Sequence, residues 1–357
     1  MISDFVPDKS VDVPISGNMT VNPLHDTFRV KAAGKSVQMK KALLLDRQSL
    51  LMLQVAETYF QVLHSEKQKE VLTHSLDVDH MQLTDIRLKE KAGMARPMDV
   101  SLARAKVAKT RSRLIQAEND VKNSRAMLAY LIGVPEIDGP LVNGLEIPAI
   151  DWQTASLPAL AHAHRQDLIF AHEQVSMAAA SLEAAWGEYF PSVSLNLSTY
   201  LSKESFPDDV AWTSLIRINL PIFSAGLIHA DVRSAYSRLR QANLYEIDLH
   251  RQVVKDIKVT VENLNKDTLQ IDERKFQVQA SKESFNQTTA AVNAGLGTNL
   301  ERLIAQDGLL SAELSLASAR FNRDIDYLRL LHAAGVLHPD LSLPLTTTGP
   351  NDRKTKE

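Results

Sequence analysis

The chain has 357 residues, no cysteine, and 40 basic against 43 acidic side chains, a formal net charge of −3. Without cysteine there can be no disulfide, cysteine nucleophile or thiolate metal site, and the charge balance lacks the basic excess of a nucleic-acid binder. Thirteen glycines, fourteen prolines and only 6% aromatic residues predict long helices with thin cores, while 44% hydrophobic content excludes overall disorder.

Met1-Ile2-Ser3-Asp4-Phe5 has neither the basic nor the apolar region of a secretory leader. No run of eighteen apolar residues occurs in the sequence, so no transmembrane helix is predicted. That criterion does not reach a membrane β-barrel, whose strands are short and alternating. Residues 1–22 read as a β-strand region, with the strand near Asn18–Asn22.

From 23 to 134 the pattern is a long helical hairpin. Lys35 to Ala92 lacks both glycine and proline, and Gly93-Met94-Ala95-Arg96-Pro97 then supplies a helix stop and a new start. In the returning helix Val100, Ala103, Val107, Thr110, Leu114, Ala117, Val121, Ser124, Leu128 and Leu131 alternate in steps of three and four. That 3.5-residue period predicts a coiled coil with a small-residue seam. Leu50 to Leu53 read as seam or core, and Asp77-Val78-Asp79-His80 as a solvated helix face.

A connecting segment at 135–156 leads to an inter-repeat helix at 157–191. His162, His164 and His172 read there as surface histidines rather than metal ligands, since no carboxylate completes a cluster. Residues 192–222 form a β-hairpin pattern. Val193, Leu195, Leu197, Thr199 and Leu201 alternate with polar residues, and Trp212, Ser214, Ile216, Ile218, Leu220 and Ile222 repeat the period. Segments of about ten residues with terminal aromatics suit either transmembrane strands or a soluble hairpin with one buried face. A second long helical hairpin spans 223–337, turning at Gly295-Leu296-Gly297-Thr298. The polar tail 338–357 is expected to be disordered.

Shifting the sequence by 202 residues puts Gly93 on Gly295, Ala103 on Ala305, Leu114 on Leu316, Leu128 on Leu330 and Gly133-Val134 on Gly335-Val336. One gapless offset with glycines matched at both ends predicts an internal duplication. The alternative is two unrelated Ala-rich coiled coils. No phosphate loop, catalytic triad or paired-carboxylate arrangement is present, so no enzyme and no cofactor is predicted.

Several stretches together resemble the outer-membrane efflux protein family, the TolC-like channel-tunnels. They are Arg165-Gln166-Asp167-Leu168, Phe190-Pro191-Ser192-Val193-Ser194-Leu195, Leu220-Pro221-Ile222-Phe223-Ser224-Ala225-Gly226 and the two glycine turns. The resemblance runs from about Asn22 to Leu337. It implies a mainly α fold with a small β part, in which duplicated helical hairpins build a coiled-coil α-barrel and the strands build a transmembrane β-barrel. It also implies a homotrimer in the outer membrane with a periplasmic helical extension. The partners would be outer-membrane lipid, a periplasmic adaptor and an inner-membrane pump. The duct would be passive, serving efflux or type I secretion. The tips Gly93, Met94, Gly295, Leu296, Gly297 and Thr298 become adaptor-docking candidates. Glu301, Asp99, Arg302 and Arg96 become aperture or gate candidates.

Three departures accompany the resemblance. Gln166 replaces the family's usual proline, Gly297 stands at its gate-arginine position, and Ile304 at its second acidic position. Pro23-Leu24-His25-Asp26 matches Pro221 to Ser224, yet the 22 residues before it have room for only one strand. The expectation is therefore an N-terminally incomplete chain or a miscalled start. The rival reading is a soluble coiled-coil scaffold or a periplasmic adaptor, which would need only one buried face on the hairpin.

Overall fold

A computed structural model describes residues 12–145, 147, 157–202 and 209–337. The expected disordered tail 338–357 lies outside the described residues, as do parts of the first strand region and of the connecting segment. The described elements are β1 (Val13–Val21), α1 (Pro23–Lys91), α2 (Pro97–Ile132), α3 (Leu157–His164), α4 (Gln166–Gly187), β2 (Ser192–Ser202), β3 (Trp212–Asn219), α5 (Leu227–Asn293) and α6 (Asn299–Ala333). The fold is mainly α with a small β part. The sequence reads one inter-repeat helix at 157–191; the structure has two, α3 and α4, meeting at Arg165. The chain divides into two units: residues 1–44 with 166–251, and residues 45–165 with 252–357.

In the first unit the strands form an antiparallel sheet in the order β1-β2-β3. Its register gathers the alternating residues into rows: Val21, Val193 and Ile218; Met19, Leu195 and Ile216; Gly17, Leu197 and Ser214; Ile15, Thr199 and Trp212. The opposite face carries Thr20, Ser194 and Arg217, then Asn18 and Asn196 with Leu215, then Ser16, Ser198 and Thr213. The apolar face is open: Val193, Leu197 and Leu201 are exposed, as are Met19, Ile216 and Ile218. On β2 Ser194, Asn196 and Ser198 are partly covered, as is Leu195, while β1 up to Thr20 and all of β3 are exposed on both faces. A soluble sheet would bury its apolar face, and this one leaves most of it open.

The helices of the same unit pack through small residues. Ala185 of α4 clusters with Ile228, Val232 and Ala235 of α5, and Ala178, Ala180 and Ala184 are also buried. Gly187, at the end of α4, lets the chain come so close to α1 that an added Cβ would lie 2.6 Å from the Cα and N of His25. Asn22 fixes this junction, donating from Nδ2 to the carbonyls of Gly187 (3.0 Å) and Phe190 (3.3 Å). His25 Nδ1 lies 2.9 Å from the carbonyl of Ala184.

In the second unit α1 and α2 form an antiparallel hairpin sealed by Leu83 and Ile86 against Val100, Ala103 and Val107. The 3.5-residue seam predicted for α2 is largely this buried stripe, which continues through Thr110, Ala117, Ser124 and Leu128. Leu72, Ala117 and Leu310 join α1, α2 and α6, and Phe60, Ile325 and Leu328 join α1 and α6. Two side chains hold the segment after α2. Tyr59 Oη donates to the carbonyl of Val142 (2.8 Å), and the Arg125 guanidinium bridges Glu66 and the carbonyl of Ile137.

Candidate functional site

The two hairpin turns repeat one another bond for bond. After α1 the N–H of Met94 reaches the carbonyl of Lys89 (2.7 Å) and that of Gly93 reaches Glu90 (2.9 Å). After α5 the N–H of Leu296 reaches Ala291 (2.9 Å) and that of Gly295 reaches Val292 (3.2 Å). This paired closure of orphan carbonyls needs a left-handed residue, which Gly93 and Gly295 supply at φ +76 and +75. The far ends of α2 and α6 close in the same way at Gly133 and Gly335. The 202-residue offset thus repeats backbone geometry as well as residue types.

The four charged candidates fall into different surroundings. Glu301 is the third residue of α6 and completes a capping box. Its carboxylate accepts from the backbone N–H of Thr298 (2.8 Å), while Thr298 Oγ1 accepts from the N–H of Glu301 (3.2 Å). Those two bonds, the backbone donor first, hold the fully exposed Glu301 carboxyl below the usual carboxylate range. Asp99 occupies the same place in α2 but takes its donors from Arg96, through the guanidinium (3.3 Å) and the backbone N–H (3.2 Å). Arg96 therefore holds Asp99 low as well, and the carboxylate is buried. Arg302 points inward, 4% exposed, and its guanidinium donates to Asp85 of α1 (3.1 and 3.2 Å). At the tips, Met94 is 73% exposed and Leu296 is 86% exposed. Ile304 is exposed one turn beyond Leu300, which is also exposed.

Arg302 and Asp85 belong to a polar layer that joins α6 to the first hairpin just behind the tips. Both turns therefore lie at the same end of the second unit. Gln306 donates to Asp79 Oδ1 (2.7 Å), and Lys106 of α2 pairs with Asp307 of α6. Asp79 is 2% exposed, which corrects its reading as part of a solvated face; its neighbours Asp77 and His80 are exposed. Burial raises the Asp79 carboxyl, against the lowering effects of Thr110, Lys106 and Gln306. Sequence periodicity missed this layer because Lys106 and Gln306 occupy core-facing positions with polar side chains. The available signal was Thr110, one turn on in the same seam. His172 pairs with Glu246 of α5 at 3.1 Å. Among the described residues no group of three or more His, Asp or Glu converges as metal ligands, and no helix is long and apolar enough to cross a membrane.

The sequence matches the family described as outer membrane efflux protein over residues 23–134 and 157–336. It is similar to the outer membrane protein TolC of Escherichia coli, 25% identical over 91% of this chain and 70% of the relative. It is also similar to a probable efflux pump outer membrane protein, TtgC, of Pseudomonas putida, 28% identical over 70% of this chain and 53% of the relative. In fold it is like the outer membrane protein VceC of Vibrio cholerae. That likeness has a TM-score of 0.81 at 20% identity and covers 91% of this chain and 79% of the other. With the family match covering most of the sequence and a duplicated pair of helical hairpins ending at one pair of tips, the chain belongs to the outer membrane efflux protein family.

Proposed function

We propose that the protein is a passive export duct of the outer membrane, a homotrimer whose sheets close into a transmembrane β-barrel and whose helical hairpins build a periplasmic α-barrel. The observation that carries this reading is the uncovered apolar face of the sheet, where Met19, Ile216, Ile218 and Leu197 are exposed together. Lipid is the solvent that such a face suits, and strands of nine, eleven and eight residues are close to the length of a membrane-spanning strand. A soluble scaffold or adaptor would bury that face instead. The relatives are outer-membrane proteins and TtgC is named as one of an efflux pump, so a periplasmic adaptor and an inner-membrane pump are the partners in this reading. They would supply the energy, and the duct itself would perform no chemistry.

Within this duct Glu301 lines the narrow periplasmic end and Gly93, Met94, Gly295, Leu296, Gly297 and Thr298 form the docking tips. Asp99 and Arg96 bind each other, and Arg302 binds Asp85, so in this reading those three brace the tips while Glu301 faces the passage. The test is single-channel recording in planar bilayers across a salt gradient. A trimer with a closed barrel is expected to give discrete channels that prefer cations. Glu301→Gln should shift the reversal potential toward zero and Asp99→Gln should shift it less. Absence of channels from a trimer with a closed barrel removes the duct; an unchanged reversal potential in Glu301→Gln removes that residue from the aperture.

A further inference from the structure

The two halves of the duplication share a backbone but not a charge. Residues 87–113 hold nine basic side chains against two acidic, whereas the equivalent residues 289–315 hold one against three. Hairpin geometry orders part of this excess. Ser75, which meets α6, lies on one flank of the α1–α2 seam, and Asp79 shares the seam face of Ile86, with Leu83 beside it. At 100° per residue His80 and Arg87 fall together on the other flank. In α2, Lys106 faces α6, and Arg104 and Arg111 fall together on the flank away from it. The two flanks meet: the Arg111 guanidinium donates to Nε2 of His80 at 3.5 Å. In an antiparallel pair that contact sets Arg87 level with Arg104, one heptad nearer the tip. All four side chains are exposed. Neither Arg87 nor Arg104 has a carboxylate partner among the described residues, although their neighbours Lys89, Arg96, Lys106 and Lys109 are all paired. Exposed Met81 and Leu88 lie a further 100° round α1, beyond the row of His80 and Arg87. One heptad further from the tip the row carries Glu118 on α2, level with Thr73 on α1. The second hairpin has Lys282, Thr289, Gln306 and Glu313 at the equivalent places, so it carries no such ladder.

We propose that the outer groove of the first hairpin, between α1 and α2, is a docking site for an amphipathic α-helix of a partner protein with two carboxylates seven residues apart. The proposal rests on the reading of the tips as the docking end and adds the partner's chemistry and the hairpin it chooses. The two rungs, His80–Arg111 and Arg87–Arg104, are seven residues apart along each helix, about 10 Å, which is the spacing of positions i and i+7 on a facing helix. One carboxylate would lie between the like charges of Arg87 and Arg104, and the other beside Arg111. The second hairpin, lacking the ladder, would not compete, so a symmetric trimer would take one such helix per protomer at this site.

The test uses the full chain as the detergent-solubilised trimer and a fluorescent synthetic helical peptide of three turns or more bearing Glu at i and i+7. Its counterpart bears Gln at both positions. The Glu peptide should bind about tenfold more tightly, because each exposed charge pair carries about threefold, and that advantage should fade at high salt. Arg87→Gln with Arg104→Gln should cut the difference between the peptides to about threefold, and adding Arg111→Gln should abolish it. Arg87→Glu with Arg104→Glu and Arg111→Glu should instead prefer the peptide bearing Lys at both positions, a reversal that misfolding cannot produce. Equal binding of the Glu and Gln peptides to the wild type overturns the proposal, and so does a preference that survives in the triple Gln variant. Loss of flotation with phosphatidylglycerol vesicles in the double variant, with peptide binding untouched, reassigns the ladder to a lipid surface. Bilayer conductance of the same preparations separates the two readings. Channels without peptide discrimination overturn only the docking groove, and peptide discrimination without channels overturns the duct.

Discussion

Replacing Gly187 by alanine tests how tightly the helix–strand junction is built. The new Cβ would sit 2.6 Å from the Cα and N of His25 and 3.1 Å from its Cβ, whereas ordinary contact begins at 3.4 Å. The obstacle is backbone, so no side chain can swing aside, and α4 must move away from the start of α1 by about 0.8 Å. That movement stretches two bonds made across the junction, Asn22 Nδ2 to the Gly187 carbonyl and His25 Nδ1 to the Ala184 carbonyl. Overpacking of this kind costs about 3 kcal/mol. For a chain of this size 1 kcal/mol corresponds to about 2 °C, so the melting temperature should fall by about 6 °C. Thermal unfolding followed by helical circular dichroism reads the shift. Gly34→Ala is the control: it lies inside α1 with nothing within 4 Å of an added Cβ. It should stabilise by about 0.5–1 kcal/mol through helix propensity alone. A Gly187→Ala protein that melts with the wild type would refute the close approach and the reasoning built on it.

The polar layer and the buried acids give two pH-dependent expectations. Gln306→Leu removes a donor from Asp79 and should cost about 2 kcal/mol at neutral pH. Burial raises the Asp79 carboxyl, so its ionisation opposes folding once the pH exceeds the ordinary carboxylate range. The Gln306→Leu deficit should therefore shrink as pH falls through the folded pKa of Asp79; melts at pH 7.5 and 5 showing an equal or larger deficit in acid would contradict this. Asp326 of α6 is raised by burial first and then by the charge of Asp267 on α5. Its ionisation likewise destabilises the fold as pH rises, so Asp326→Asn should be more stable than wild type at pH 8 and the gap should close toward pH 4. A variant less stable than wild type at pH 8 would show that the carboxylate is needed.

Local rules made much of the architecture legible in the amino-acid order. The glycine-free stretches, the turns at Gly93 and Gly295, the seam from Val100 to Leu128 and the alternation from Val193 to Leu201 are patterns of period and punctuation. Helix and strand geometry act on such patterns residue by residue, so they can be read without knowing what packs against what. The 202-residue offset is of the same kind, because a left-handed turn needs glycine wherever it recurs. Other features depend on partners distant in sequence. Asp79 lies two residues from exposed Asp77, and only the arrival of Gln306 from α6, 227 residues away, makes it a buried carboxylate. Arg302 looked like a free cation beside a gate until α1 placed Asp85 against it. The strand alternation could not say whether its apolar side faced a core or a membrane. Register aligns Met19, Leu195 and Ile216 in one row, and Met19 and Ile216 stay exposed there. Sequence determined the elements, their turns and their repetition, because those follow from local backbone energetics. Tertiary structure alone decided which charges are buried and which apolar strand residues stay exposed, because desolvation depends on neighbours brought together only by the fold.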